Sequence, residues 1–148
     1  MPTSTRFAVA VHMLAALAVS DGAPLRSEDL AYSVNTGAVV IRGLLSRLSD
    51  AGLTRSQLGA GGGAQLARRP EKIRLLDVYE AVEDIALFSL HRTPPCESCP
   101  VGGNILEAIQ PTLARARKAL EDELAKVTIA DIAAEVARIG KFRLPLQW

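Results

Sequence analysis

The sequence predicts a mainly α-helical chain: a winged helix-turn-helix domain with a β-hairpin wing, followed by a long C-terminal dimerisation helix. Three observations predict it. Three short helical patterns lie before residue 52, two brief extended runs then flank a glycine cluster, and a sustained apolar stripe follows residue 104. The apolar fraction of 49% is ample for a core, and the Ala, Leu and Val bias with only 4% aromatics favours helices over sheets. At 148 residues the chain suits one compact unit with an appended helix.

Residues 5–19 read as the first helix. Phe7, Val11, Leu14 and Ala18 recur near helical spacing, and Asp21-Gly22 ends the run. Its apolar start has the flavour of a leader peptide. Yet Arg6 is the single early cation and His12 interrupts the run, so it reads as a helix of the domain, with His12 packed in the core. A second helix runs from Ser27, as a cap ahead of two acids, to about Ser33, with Asn35 at the turn. The third spans 37–51. Val40, Leu44, Leu48 and Ala51 form its inward stripe, and Asn35, Ala38, Val39, Arg42, Ser46 and Ser49 turn the opposite way.

Leu53–Leu58 and Ala64–Ala67 then flank the cluster Gly59 to Gly63, the pattern of a hairpin with a flexible tip. A fourth helix runs from Leu75 to Glu83. A Pro- and Gly-rich loop occupies 84–104, and a long helix 104–126, within which Pro111 either kinks the helix or marks its true start. Thr128 caps a last short helix, TIADIAAEV. This divides the chain into a DNA-binding part at 1–83, a cysteine-containing sensor loop at 84–104, and a dimerisation helix with a C-terminal helix and tail at 105–148.

The order helix, helix, helix, glycine-tipped hairpin gives each piece a physical role. The third helix presents its outer face to the major groove. Arg42 is placed to donate to guanine or phosphate, Val39 to touch a thymine methyl, and Ser46 lies on the same face. Ser27, Asn35 and Thr36 lie where helix starts meet phosphates. The glycines of the wing, Gly61 and Gly62 among them, let main-chain N–H groups approach the backbone, with Arg55 and Gln57 beside them. Residues 1–69 carry seven Arg or Lys against four Asp or Glu, and residues 70–148 ten against twelve. A mildly basic front half and an acidic back half fit a nucleic-acid face opposite a partner face. Inverted-repeat double-stranded DNA is therefore the expected partner. A protein-interaction winged helix without DNA binding is the alternative.

The motifs RFAVAVHMLAALA, SEDLA, LLSRLSDAGLTRS running into GAGGGAQLA, IRLLDVYEAVE, CESCPVGGNI and KVTIADIA span about residues 3–134. Together they resemble the Rrf2 type of bacterial regulators, the group of IscR, NsrR and CymR. The resemblance implies a DNA-binding dimer that senses a metal cluster, a redox change or a small molecule; a repressor is the expected role, and two cysteines in the chain fit a reducing cytoplasm. Members holding an iron–sulfur cluster carry three loop cysteines, whereas this chain has Cys96 and Cys99 alone. That argues against such a cluster, and no cofactor is expected. Members also often carry Arg just before the wing glycines, where Leu58 stands here, leaving Arg55 or Gln57 to substitute.

Cys96-Glu-Ser-Cys99 is a CxxC, which suits zinc, half a cluster or thiol–disulfide exchange. His91 and Glu97 are the nearby candidates for further zinc ligands, and the metal stays open. A helix starting just after Gly103 would favour the Cys99 thiolate. A thiol oxidoreductase is the less favoured reading, because the CxxC follows no strand. Ile105, Ile109, Leu113, Leu120 and Leu124 form a stripe longer than so small a domain covers, so a homodimer is expected. Phe142 and Trp148 are expected to pack on the partner. No stretch of about 18 apolar residues suggests a membrane span.

Overall fold

The computed structural model describes residues 4–84 and 86–146. Among them are six α-helices and one hairpin: α1 Arg6–Val19, α2 Ser27–Val34, α3 Ala38–Asp50, β1 Thr54–Gln57, β2 Gly63–Leu66, α4 Leu75–Val82, α5 Ile105–Leu124 and α6 Ile129–Gly140. A single 3-10 turn at Pro70–Lys72 leads into α4. Trp148, expected on a partner, lies outside the described residues.

One core joins α1, α2, α3, α4 and the start of α6. Met13, Leu14, Leu30, Ile41, Leu48, Leu53, Ile73, Val78, Val82 and Ile129 are its fully buried side chains. At about 0.8 kcal/mol per buried CH₂, this cluster dominates the favourable side of folding. α1 crosses the middle and touches every other element of the core, which is why its run carries so little polarity. It stops where Asp21 (φ 48°) and Gly22 (φ 88°) turn left-handed, as the Asp-Gly pair foretells.

Three of the helix starts, those of α2, α4 and α6, share one device. The Asp29 carboxylate accepts from Arg26 N (3.1 Å), Asp77 from Arg74 N (2.9 Å), and Asp131 from Thr128 N (2.9 Å). Each Asp stands at the third helical position, where it also meets the positive helix end. Ser27 is therefore the first residue of α2 and not its cap: Arg26 is the cap position, and Asp29 supplies the oxygen. Thr128 is the expected cap, its Oγ1 accepting from Asp131 N at 3.2 Å.

β1 and β2 pair antiparallel, Thr54 opposite Leu66 and Gln57 opposite Gly63. Leu25 adds a bridge on the other side, with Leu25 N to Ala64 O at 3.0 Å and Ala64 N to Leu25 O at 2.7 Å. The Gln65 amide donates to Gly22 O at 2.6 Å, so the base of the wing is held to the α1–α2 turn.

Several expectations need correcting. In α3 the buried stripe is Ile41, Leu44 and Leu48; Val40 and Ala51 are exposed, and Ala38 packs against the core. The run Val39-Val40-Ile41 is apolar throughout, so spacing alone left the phase open by one residue, a rotation of about 100°. His12 is exposed on α1, not in the core, and its Nε2 lies 2.8 Å from Ser33 Oγ of α2. Pro111 does not start α5, which begins six residues earlier and continues through it. Outside these corrections, Phe142 is half-buried and lines a groove of about 480 Å³ with Val11, Ala15 and Val136.

Candidate nucleic-acid interface and cysteine loop

The link between α2 and α3 is built by Asn35. It sits left-handed at φ 61° and ψ 53°, and Thr36 N–H closes α2 by donating to Ala31 O at 3.0 Å. The Asn35 and Thr36 main-chain donors thus serve the α2 cap, which leaves their side chains for any phosphate. Gly37 then caps α3 in extended geometry, and α3 leaves Ala38 as its first helical residue.

α3 is divided lengthwise. Ile41, Leu44 and Leu48 face the core, while Val39, Val40, Arg42, Gly43, Ser46 and Ser49 are exposed. Val39 is 75% exposed and its neighbour Val40 is half exposed, which puts two adjacent apolar side chains on the open face of α3. Arg42 reaches Glu28 of α2 at 3.8 Å, both side chains being more than half exposed. Such a pair is worth at most about 1 kcal/mol and is readily exchanged for another anion. Ser27 is half-buried at the start of α2.

The wing exposes Arg55 and Gln57 on β1, and no ion pair among the described residues holds Arg55. Leu58 opens the tip and is 90% exposed. Gly61 has φ +74°, and a Cβ on Gly62 would lie 2.1 Å from Gln57 O, so the tip turn requires its glycines. Near the foot of β2, Arg68 donates to Ala51 O at 3.4 Å and Arg69 pairs with Glu71 at 3.7 Å.

Cys96 and Cys99 are both free and exposed. Cys96 Sγ lies 3.1 Å from Ser98 Oγ, and that hydrogen bond, with the Cys99 and Ser98 main-chain N–H groups, lowers its pKa below the ordinary thiol value. The Gly102 and Val101 N–H groups lower that of Cys99. The turn is tight: a Cβ on Gly102 would meet Cys96 O at 2.3 Å, and Gly103 N donates to Cys99 O at 2.8 Å. α5 starts just after Gly103, as expected, with Asn104 as its cap, and the N–H groups that lower the Cys99 pKa belong to the turn leading into it. His91 and Glu97 are also exposed. No group of three His, Cys, Asp or Glu side chains among the described residues is arranged to hold a metal ion.

α5 has no buried residue along its twenty. Leu113 and Arg117 border a cleft with Leu87, Phe88 and Leu90 of the preceding loop, and Leu120 borders another with Tyr79 of α4 and Glu83 just after it. Ile105 and Leu124 are half-buried, and Ile109 is exposed.

Sequence reasoning missed Arg6, Arg47, Glu83 and Asp84. Arg47 Nη1 of α3 lies 2.9 Å from both Asp84 oxygens, and Arg6 Nη1 of α1 lies 3.2 Å from Asp84 Oδ2. Their separations of 37 and 78 residues leave no local pattern to find.

No helix among the described residues is long and apolar enough to cross a membrane. The Rrf2 family, described as iron-dependent transcriptional regulators, matches residues 3–135. YwnA of Bacillus subtilis (strain 168), which carries the name of an HTH-type transcriptional regulator, is 38% identical over 130 residues, 87% of this chain and 95% of YwnA. A crystal structure described as that of a DNA-binding protein shares 37% identity, covers 86% of this chain and 97% of its own, and superposes with a TM-score of 0.69. CymR, the global cysteine regulator of B. subtilis, shares the fold at 24% identity and TM-score 0.68, covering 91% of this chain and 98% of its own. The family's iron finds a poor match in this donor set. Two thiols are half of a four-ligand site, and no third donor among the described residues joins them. With the helix-turn-helix, the wing and a match along nearly its whole length, the chain is a transcriptional regulator of the Rrf2 family, not an enzyme.

Proposed function

We propose that the chain is a dimeric DNA-binding repressor whose grip on an inverted-repeat operator is set by the thiol state of Cys96 and Cys99. The observation that carries the reading is α3, locked into the core by Ile41, Leu44 and Leu48 while its other face stays open. A rigidly seated helix with a free outer face is what major-groove reading needs. Val39 and Val40 suit thymine methyls, and Arg42 exchanges Glu28 for guanine or phosphate. Ser27, Asn35, Thr36 and Ser46 offer side-chain contacts to phosphates. Arg55, Gln57 and the main chain at Gly61 and Gly62 follow the backbone from the wing.

The apolar stripe of α5, Ile105, Ile109, Leu113, Leu120 and Leu124, pairs with its twin. Twofold symmetry then places two reading helices about one DNA turn apart. The signal acts on the loop. In the reducing cytoplasm both cysteines are thiols. A two-electron oxidant such as hydrogen peroxide takes two electrons and two protons from the pair, leaving a Cys96–Cys99 disulfide and two waters. Lowered thiol pKa values raise the thiolate fraction that attacks the peroxide. No resident metal cluster takes part in this scheme.

The test compares operator affinity of reduced protein with that of the same protein after diamide, a two-electron thiol oxidant. A change of about tenfold, ~1.4 kcal/mol, is expected in the wild type and none in Cys96→Ala/Cys99→Ala. Equal affinities in both states would remove the thiol switch and leave the DNA-binding reading standing.

A further inference from the structure

A polar cluster outside the proposed DNA face joins three elements where the loop begins. Asp84, the first residue after α4 and Glu83, is held from two sides. Arg47 of α3 spans both its carboxylate oxygens at 2.9 Å, and Arg6 at the start of α1 reaches Oδ2 at 3.2 Å. The same Arg47 nitrogen lies 3.4 Å from Val82 O, a carbonyl in the last turn of α4 that has no partner further along the helix. Glu83 completes the cluster, accepting from Ser4 Oγ at 2.9 Å and standing 3.8 Å from Arg6 Nη2. The Arg47 and Arg6 cations hold the Asp84 carboxyl below the usual carboxylate range.

Each of these contacts crosses between elements. α3 is the reading helix, and Arg47 stands in its last turn, one residue from the buried Leu48. The chain leaving Asp84 runs to Cys96 and on to α5. We infer that Asp84 is a positioning residue: gripped by Arg47 and Arg6, it sets the place of the reading helix relative to the 84–104 segment. This rests on the reading of α3 as the DNA-contacting helix. A single exposed ion pair would contribute little. Here one carboxylate serves two guanidinium groups, and one of those also closes a helix end. Displacing the loop at Asp84 therefore releases the last turns of α3 and α4 together. Arg47 itself touches no DNA in this scheme.

The test uses the full-length chain as wild type, Asp84→Asn, Asp84→Glu, Arg47→Gln and the double variant Asp84→Asn/Arg47→Gln. Amide hydrogen exchange is read at residues 47–51 and 82–84, and affinity for a genomic fragment selected by the wild type is read across a salt series. Asp84→Asn and Arg47→Gln are each expected to speed exchange at both segments about fivefold. Each weakens DNA binding severalfold with no change in salt slope, since no phosphate contact is lost. The double variant is no worse than either single one, and Asp84→Glu recovers most of the loss. Wild-type exchange rates in Asp84→Asn, additive effects in the double variant, or a salt slope lowered by about one in Arg47→Gln would each overturn the assignment. A wild type that selects no DNA defeats the regulator reading alone, because the exchange rates still decide whether Asp84 fastens the two helices.

Discussion

Asp77 shows how much a single side chain does at a helix start. Its carboxylate accepts from Arg74 N at 2.9 Å and from the Arg74 guanidinium at 2.8 and 3.3 Å. The Arg74 hydrogen bond, with its main-chain N–H and charge, holds the Asp77 carboxyl below the ordinary value of 3.8. A depressed folded value means that ionised Asp77 favours the native state. Its contribution is complete above about pH 4, the unfolded value, and fades as pH falls through the lower folded value. Asp77→Asn is therefore expected to lower the thermal midpoint at pH 6 and to flatten its decline between pH 4 and 2. A variant with the wild-type acid limb would contradict this. The same design recurs at Asp29 and Asp131. Sequence reading found only the Thr128 example, because the habit of looking for Ser or Thr caps hides an Arg at the cap position. The acid three residues on was the legible signal. His12 is the opposite case: an apolar helix tells which residues can be buried, and only the placement of α2 and α6 tells which side stays open.

At the scale of elements, the helices, the hairpin and their order were legible because each has a repeating pattern or a stop signal of its own. Phase was less so. Val39, Val40 and Ile41 all satisfy an inward position, and only the seat of α3 against the core selects Ile41. The grip of Arg47 on Asp84 was invisible, since it joins elements without local pairing. α5 makes the sharpest element-level prediction. Twenty residues with none buried would be a poor use of Leu113, Leu120 and Leu124 in a lone chain. Replacing Leu113 and Leu120 together by Glu is expected to turn the proposed dimer into a monomer in sedimentation, with α1–α4 still folded by circular dichroism. A wild-type monomer at micromolar concentration, or a dimer that survives the double change, would contradict the pairing of α5. Pro111 sits within this helix, where its missing N–H leaves Glu107 O without a helical donor.

For the molecule as a whole, α1–α4, the hairpin and α6 build one packed unit, and the loop that carries both cysteines leads from it into the exposed α5. In that unit α3 shares one core with α1, α2 and α4, and α6 returns to the core through Ile129. Sequence pattern gave no hint of that return, as α6 follows the long helix and its amphipathic face names no partner. The loop is the less buried part, with Leu87, Phe88 and Leu90 exposed beside α5. Such segments open at low free energy, which suits the thiol switch proposed for this loop. The central claim is that α3 and the wing read DNA as a symmetric pair. It is tested most directly by selecting genomic fragments with the purified protein, and repeating the selection with Arg42→Ala. The account predicts one enriched inverted repeat with half-site centres about one helical turn apart, bound more weakly as salt rises. Arg42→Ala should bind it about tenfold more weakly, or with relaxed preference at one position of each half-site. No enrichment, or binding indifferent to salt and to Arg42, would contradict it and turn α3 into a surface for another protein.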